Sequence, residues 1–242
     1  LYGPSNDTSF LLDCHLAALP VLQEPKDPKH MQLLREWLSQ SILLSPIPSL
    51  INGEAAEETL EPEWTADNFS AWFAGLLGRY PKAYMTIDKF LKNLMPDIDD
   101  FTYEVIGEDS KTISVRFNGD GQPLKVRFAD LSDGEKCFFL IAAVVAANEF
   151  YGPLLCFWDE PCNHLSLHEI GQVIRELRSA FENNGQLLVT SHNEETIRHF
   201  SDENTLLFLR KSHLEAPIVR SLADVDYKGS LCEELISGDL YE

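Results

Sequence analysis

Between Glu135 and Thr190 the chain alternates helical patterns with short runs that are apolar at almost every position. Glu135–Phe150 and Leu167–Phe181 read as helices, Leu154–Trp158 and Leu187–Thr190 as strands. A strand that is apolar on both faces needs cover on both, and helices alternating with such strands point to a buried parallel sheet. An α/β core is therefore expected, and no internal repeat is visible.

The first of these strands continues into two adjacent carboxylates, in the run Leu154-Leu155-Cys156-Phe157-Trp158-Asp159-Glu160. The C-terminal ends of strands in open α/β sheets face the crevice where ligands bind. There Asp159 could hold Mg²⁺ and Glu160 could orient and deprotonate an attacking water. A strand that simply meets an acidic turn is the plain alternative. Upstream, Leu131-Ser132-Asp133-Gly134-Glu135-Lys136 precedes the long apolar helix. Ser132 is a good N-cap, Gly134 allows close approach of an anion, and helix N-terminal amides favour phosphate. The same residues also form an ordinary capping box, Ser132 with Glu135. After the strand come Pro161-Cys162-Asn163-His164-Leu165-Ser166 and, beyond the next helix and strand, Ser191-His192. His192 at a strand end beside the carboxylates could donate a hydrogen bond to a γ-phosphate.

These elements, in this order and spacing, resemble the ABC ATPase superfamily over residues 128–210. Leu131–Glu135 is similar to its Leu-Ser-Gly-Gly-Gln signature, with Asp133 in place of the first inner glycine. Leu154–Glu160 is similar to Walker B with the catalytic glutamate. Asn163-His164-Leu165-Ser166 resembles the D-loop, with Ser166 where aspartate is usual, and His192 matches the switch histidine. The Leu-Ser-Asp-Gly variant and the Ser-His-Asn after the last strand look most like the RecF/OLD-like and SMC-like ABC ATPases, also grouped as AAA family ATPases.

The resemblance implies the C-terminal part of an ABC-type P-loop NTPase head that binds ATP and Mg²⁺ and hydrolyses ATP in a head-to-tail homodimer. Asp159, Glu160 and His192 would act in cis, Ser132 and Gly134 in trans. A DNA-repair or phage-defence (antiviral) machine is the implied setting, with DNA or a nuclease partner reached through other segments. A transporter ATPase subunit and a non-hydrolysing, nucleotide-dependent interaction module are the rival readings. One element is missing: no Gly-x-x-x-x-Gly-Lys-Ser/Thr occurs, and no glycine in the chain precedes a lysine. The cradle of amides and the lysine that hold the β- and γ-phosphates must then come from elsewhere. A segment upstream of Leu1 is the expectation, the opening residues Leu1–Asn6 reading as the middle of a loop. The Q-loop glutamine has no assignment.

The rest of the chain divides into a helical lobe over residues 1–98 and the ATPase part over 99–242. In the lobe, Met31, Leu34, Trp37, Leu38 and Ile42 recur at helical spacing and predict one helix from about Pro28 to Leu44, ended by Pro46 and Pro48. Glu54–Glu63 reads as a solvated loop. Phe69, Trp72, Phe73, Leu76 and Leu77 predict a second helix, and Pro81–Leu94 a third. Phe101–Ile106, Thr112–Phe117 and Leu124–Phe128 predict a small antiparallel sheet, joined through Gly107–Ser110 and Asn118–Gly121. Asp202–Asn204 reads as a turn before a strand-like Leu206–Leu209.

Composition narrows the function further. With 39 acidic against 19 basic residues and a net charge of −20, this chain alone would repel a nucleic-acid backbone. Its longest apolar run, Phe138–Ala147, is too short for a bilayer, so no membrane and a cytoplasmic location are expected. The five cysteines lack CxxC spacing, which favours buried reduced thiols. Cys162 lies near the carboxylates, which would raise its thiol pKa. His164 and His168 have the spacing of a metal-binding pair, though loop and helix-start roles account for them.

Overall fold

The computed structural model describes residues 29–240 apart from 107–109, 120, 211, 213, 227–228 and 239, and apart from the side chain of residue 31. The opening loop expected at residues 1–6, and Cys14, lie outside the described residues, as do parts of both expected hairpin turns. In chain order the elements are α1 (Lys29–Ser39), β1 (Ser41–Leu44), β2 (Glu54–Ala55), α2 (Phe69–Arg79), α3 (Ala83–Leu94), β3 (Ile98–Ile106), β4 (Ser110–Phe117) and β5 (Leu124–Arg127). They continue with α4 (Asp133–Phe150), β6 (Leu155–Asp159), α5 (Leu167–Phe181), β7 (Gln186–Thr190), α6 (Glu194–Phe200), β8 (Leu206–Leu209), β9 (Ile218–Ser221) and α7 (Leu231–Ser237). Two compact units divide the chain after Ser39: α1 lies in the first, and every later element lies in the second.

The single helix expected over residues 28–44 is corrected here: it stops at Ser39, and Ser41–Leu44 forms β1. Pro46 disfavours helix at the residue before it. The four residues ahead of Ser45 instead gain a parallel ladder with β6, from Ser41↔Leu155 to Leu44↔Trp158. Their burial alternates with period two, Ile42 and Leu44 inward. Tertiary pairing has overridden a spacing that suits either element, and the stretch expected to be wholly helical supplies a strand to the core. Likewise β2, within the expected acidic loop, pairs with β4.

In the parallel sheet, β6 lies between β1 and β7. Cys156 and Trp158 of β6 join Ile42 and Leu44 in the main core. Over this core runs α4, whose residues Lys136–Val144 and Ala146–Asn148 are buried, as befits a helix apolar all round. α5 is amphipathic, burying Ile170, Val173, Ile174, Leu177 and Phe181. Asn148 ties these pieces together: its Nδ2 donates to the carbonyls of Ala180 (2.9 Å) and Asn184 (2.7 Å), and its Oδ1 accepts from the amide of Leu154 (3.0 Å). The other sheet face carries the cross-strand row Leu43–Phe157–Leu188. Leu43 is 53% and Leu188 49% exposed, and Trp64 stacks on Phe157.

The expected antiparallel sheet is present, with β4 paired to β2, β3 and β5. Aromatic rings weld it and α2 to α4: Phe73, Phe101 and Phe128 all meet Phe139 at centroid distances of 6.2, 5.7 and 5.3 Å. Leu207, Leu209, Leu222, Leu231 and Leu240 form a second, smaller cluster around β8 and α7. Among the described residues no helix is long and apolar enough to cross a membrane.

Candidate functional site

Because β1, β6 and β7 run parallel, their C-terminal ends bring polar residues from distant parts of the chain to one edge. Asp159 closes β6 between two hydroxyls: Ser45, just past β1, donates to Oδ2 at 3.0 Å, and Thr190, the last residue of β7, donates to Oδ1. Glu160 follows. Its backbone sits at φ +52°, a left-handed conformation that costs a non-glycine residue about 1–3 kcal/mol and persists where the surroundings impose it. Here they do: the Glu160 amide donates to Thr190 O at 3.1 Å, Ser191 Oγ donates to Oε2 at 3.0 Å, and the His192 amide donates to Oε1 at 2.8 Å. His192 Nδ1 also meets Oε1. The Glu160 side chain is 19% exposed and that of His192 82%, so the carboxylate is fixed while the ring faces outward. Asp159, Glu160 and His192 are thus brought together. Ser45, Thr190 and Ser191 complete the cluster, and no role for them was legible in advance. A hydroxyl at the end of each flanking apolar run was the available signal, and for Ser45 the helical reading of Pro28–Leu44 hid it.

Leu131–Glu135 forms a separate cluster at the start of α4. The capping box expected from Ser132 and Glu135 is formed, the Ser132 amide donating to Glu135 Oε2 (2.7 Å) and the Glu135 amide to Ser132 Oγ (3.3 Å). It satisfies the Ncap and N3 amides and leaves those of Asp133 and Gly134 without an intrahelical acceptor. Asp133 Oδ2 lies 3.6 Å from His164 Nδ1. A Cβ on Gly134 would come within 3.0 Å of His164 O, so glycine permits the close approach of this turn to the 161–166 loop. Lys136, directly after, is only 6% exposed and donates to Pro48 O at 3.2 Å.

The donor chemistry of the first cluster fits a hard divalent cation: a carboxylate with hydroxyl oxygens on either side of it suits Mg²⁺ better than a soft metal. Cys162, four residues before Ser166, is buried and does not add sulfur to it. Its thiol is pushed up to about 11, chiefly by burial, with the Glu160 charge a lesser cause. The expected rise is present and Glu160 contributes to it, with burial as the larger cause. Cys137, Cys156 and Cys232 are also free and buried.

Residues 33–198 match the family described as AAA domain, putative AbiEii toxin, Type IV TA system. The chain belongs to that family. The matched span of this AAA domain runs from α1 into α6 and contains both clusters. No curated protein matches the sequence. Among solved structures, the chain is similar to one from work on ATP-driven dimerization and DNA-stimulated activation of SMC ATPases, at 14% identity and a TM-score of 0.45, covering 68% of this chain and 97% of that one. It is also similar to an Smc head domain with an extended coiled coil bound to the C-terminal domain of ScpA, from Pyrococcus furiosus, at 14% identity and a TM-score of 0.47, covering 74% and 44%. A third is an Smc head domain with a coiled coil and joint from Pyrococcus yayanosii, at 15% identity and a TM-score of 0.49, covering 72% and 31%. The chain therefore spans less than half the length of each of the last two.

Proposed function

We propose that this AAA domain is the C-terminal part of an ATPase head that binds Mg-ATP and hydrolyses it in a head-to-tail dimer. The observation that carries the reading is the clamp on Glu160: Ser191 and His192 hold its carboxylate at the end of β6, next to Asp159. In this reading Asp159 holds Mg²⁺, which would neutralise phosphate charge. Glu160 orients the attacking water and accepts its proton, and its clamped carboxylate need not reorganise to do so. His192, its ring outward, directs an N–H toward the γ-phosphate. Ser132 and Gly134 offer the N-terminus of α4 to the nucleotide of the partner head.

A phosphate loop from outside residues 1–242 completes the site. Two observations favour this: the acid pair has no glycine–lysine loop in the chain to face it, and among the described residues Leu43 and Leu188 of the row Leu43–Phe157–Leu188 stay about half exposed on a face that parallel sheets normally cover. The family description names a toxin–antitoxin system, which favours phage defence over DNA repair as the setting.

The test of the trans role is a pair of variants in the protein completed with its phosphate-loop segment. Ser132→Ala removes the N-cap and should cost roughly 0.5–2 kcal/mol of stability while leaving ATP-driven dimerisation intact. Ser132→Arg adds a bulky cation where the partner's phosphate must be met and should abolish dimerisation. If the arginine variant dimerises with ATP as the parent does, Ser132 is a cap and nothing more.

A further inference from the structure

Lys136 is an expensive residue where it stands. It is 6% exposed, and it lies in the first turn of α4, where the helix dipole disfavours a cation. Its hydrogen bond to Pro48 O reaches across 88 residues of sequence. A buried polar pair of this kind adds little stability over an apolar side chain of similar volume, so its worth lies in the geometry it specifies.

What it specifies is the position of the loop after β1. Pro48 is itself buried, opening the 3₁₀ turn Pro48–Leu50. Pro46 and Pro48 each fix their own φ, and the amides of Ser45 and Ile47 are anchored to the carbonyls of Trp64 (2.7 Å) and Thr65 (3.0 Å). Ser45–Pro48 is therefore a stiff piece. One end, Ser45 Oγ, lies on Asp159 Oδ2 at 3.0 Å; the other, Pro48 O, accepts from Lys136. Lys136 in turn follows the capping box of Leu131–Glu135 directly.

We propose that Lys136 is a positioning residue that couples the Asp159 cluster to the Leu131–Glu135 turn through the Ser45–Pro48 strut. A change of hydrogen bonding at Asp159, such as occupancy of that site would bring, moves Ser45, and the strut transmits the movement to the start of α4. Resting on the function proposed above, this makes the state of one nucleotide site felt at the turn that serves the partner's.

The coupling is testable in the 242-residue chain by hydrogen exchange at the bonded amides of Ser132, Glu135 and Lys136. Ser45→Ala and Lys136→Met should each speed exchange there on the order of tenfold, and the double variant should be no faster than Lys136→Met alone. No change with Ser45→Ala, or two effects that multiply, overturns the strut. In the completed protein, Lys136→Met should melt near the parent temperature, bind ATP as the parent does, and lose on the order of tenfold in ATP-driven association. A merely structural lysine would lower the melting temperature and leave association of the folded fraction unchanged, which would refute the coupling. A parent protein that does not associate with ATP sinks the proposed function instead and leaves the exchange result standing.

Discussion

Asn148→Ala should destabilise the fold severely, although the residue touches no part of the candidate site. Asn148 is 1% exposed, and its amide satisfies three backbone groups: the N–H of Leu154 and the carbonyls of Ala180 and Asn184. Alanine strands all three. Each backbone group left without a partner costs about 1–3 kcal/mol, the lower end applying where water can return. Leu154 is fully buried, whereas the two carbonyls are in part-buried surroundings, so the sum expected is about 3–5 kcal/mol. Against a usual total of roughly 5–15 kcal/mol that is a large share. Asn148→Asp should be no better, because its carboxylate keeps the Leu154 contact and faces two carbonyls it cannot donate to. Urea unfolding, followed by tryptophan fluorescence and circular dichroism, gives the value directly when the slope is unchanged. A loss below about 1 kcal/mol would show that the tie between α4, α5 and the start of β6 carries no weight.

Burial pushes the thiols of Cys137 and Cys156 up to about 12 and that of Cys162 to about 11. The folded protein thus keeps them protonated while the unfolded chain ionises from about pH 8.5, so these groups favour unfolding as pH rises above that value and contribute nothing below it. At pH 9, alkylation of these three, read by peptide mass spectrometry, should proceed only as fast as the protein unfolds; prompt labelling of the native state would contradict their burial. Calorimetry on residues 1–242 alone should find Mg-ATP binding weak or undetectable, because the phosphate loop is absent from them. Micromolar affinity would overturn the account of a loop supplied from outside.

The alternation from α4 to β7 was legible because each element has one unambiguous signal: α4 is apolar for several turns, β6 is short and bounded by Pro153 and a carboxylate pair, and α5 keeps a strict one-sided stripe. β1 was not, since Trp37, Leu38 and Ile42 continue a helical spacing that only the ladder to β6 breaks. α6, β9 and α7 are too short to establish a period, at seven, four and seven residues. At the site, Asp159, Glu160 and His192 stood out by chemistry at strand ends. The hydroxyl of Ser45 did not, because its meaning comes from Asp159, 114 residues away. Cys162 illustrates the converse: both its burial and its proximity to Glu160 were visible in sequence, and only their ranking, burial first, comes from the structure.

The central claim is that Glu160 is the general base of an ATPase site, and the most direct measurement is turnover of the completed protein carrying Glu160→Gln. The amide keeps the shape, its oxygen still accepting from the His192 amide and its NH2 turned to donate to Ser191 Oγ, but it cannot take the water's proton. ATP affinity should be retained and the rate of hydrolysis should fall on the order of 10²–10⁴-fold. Unchanged turnover at unchanged affinity would contradict the account.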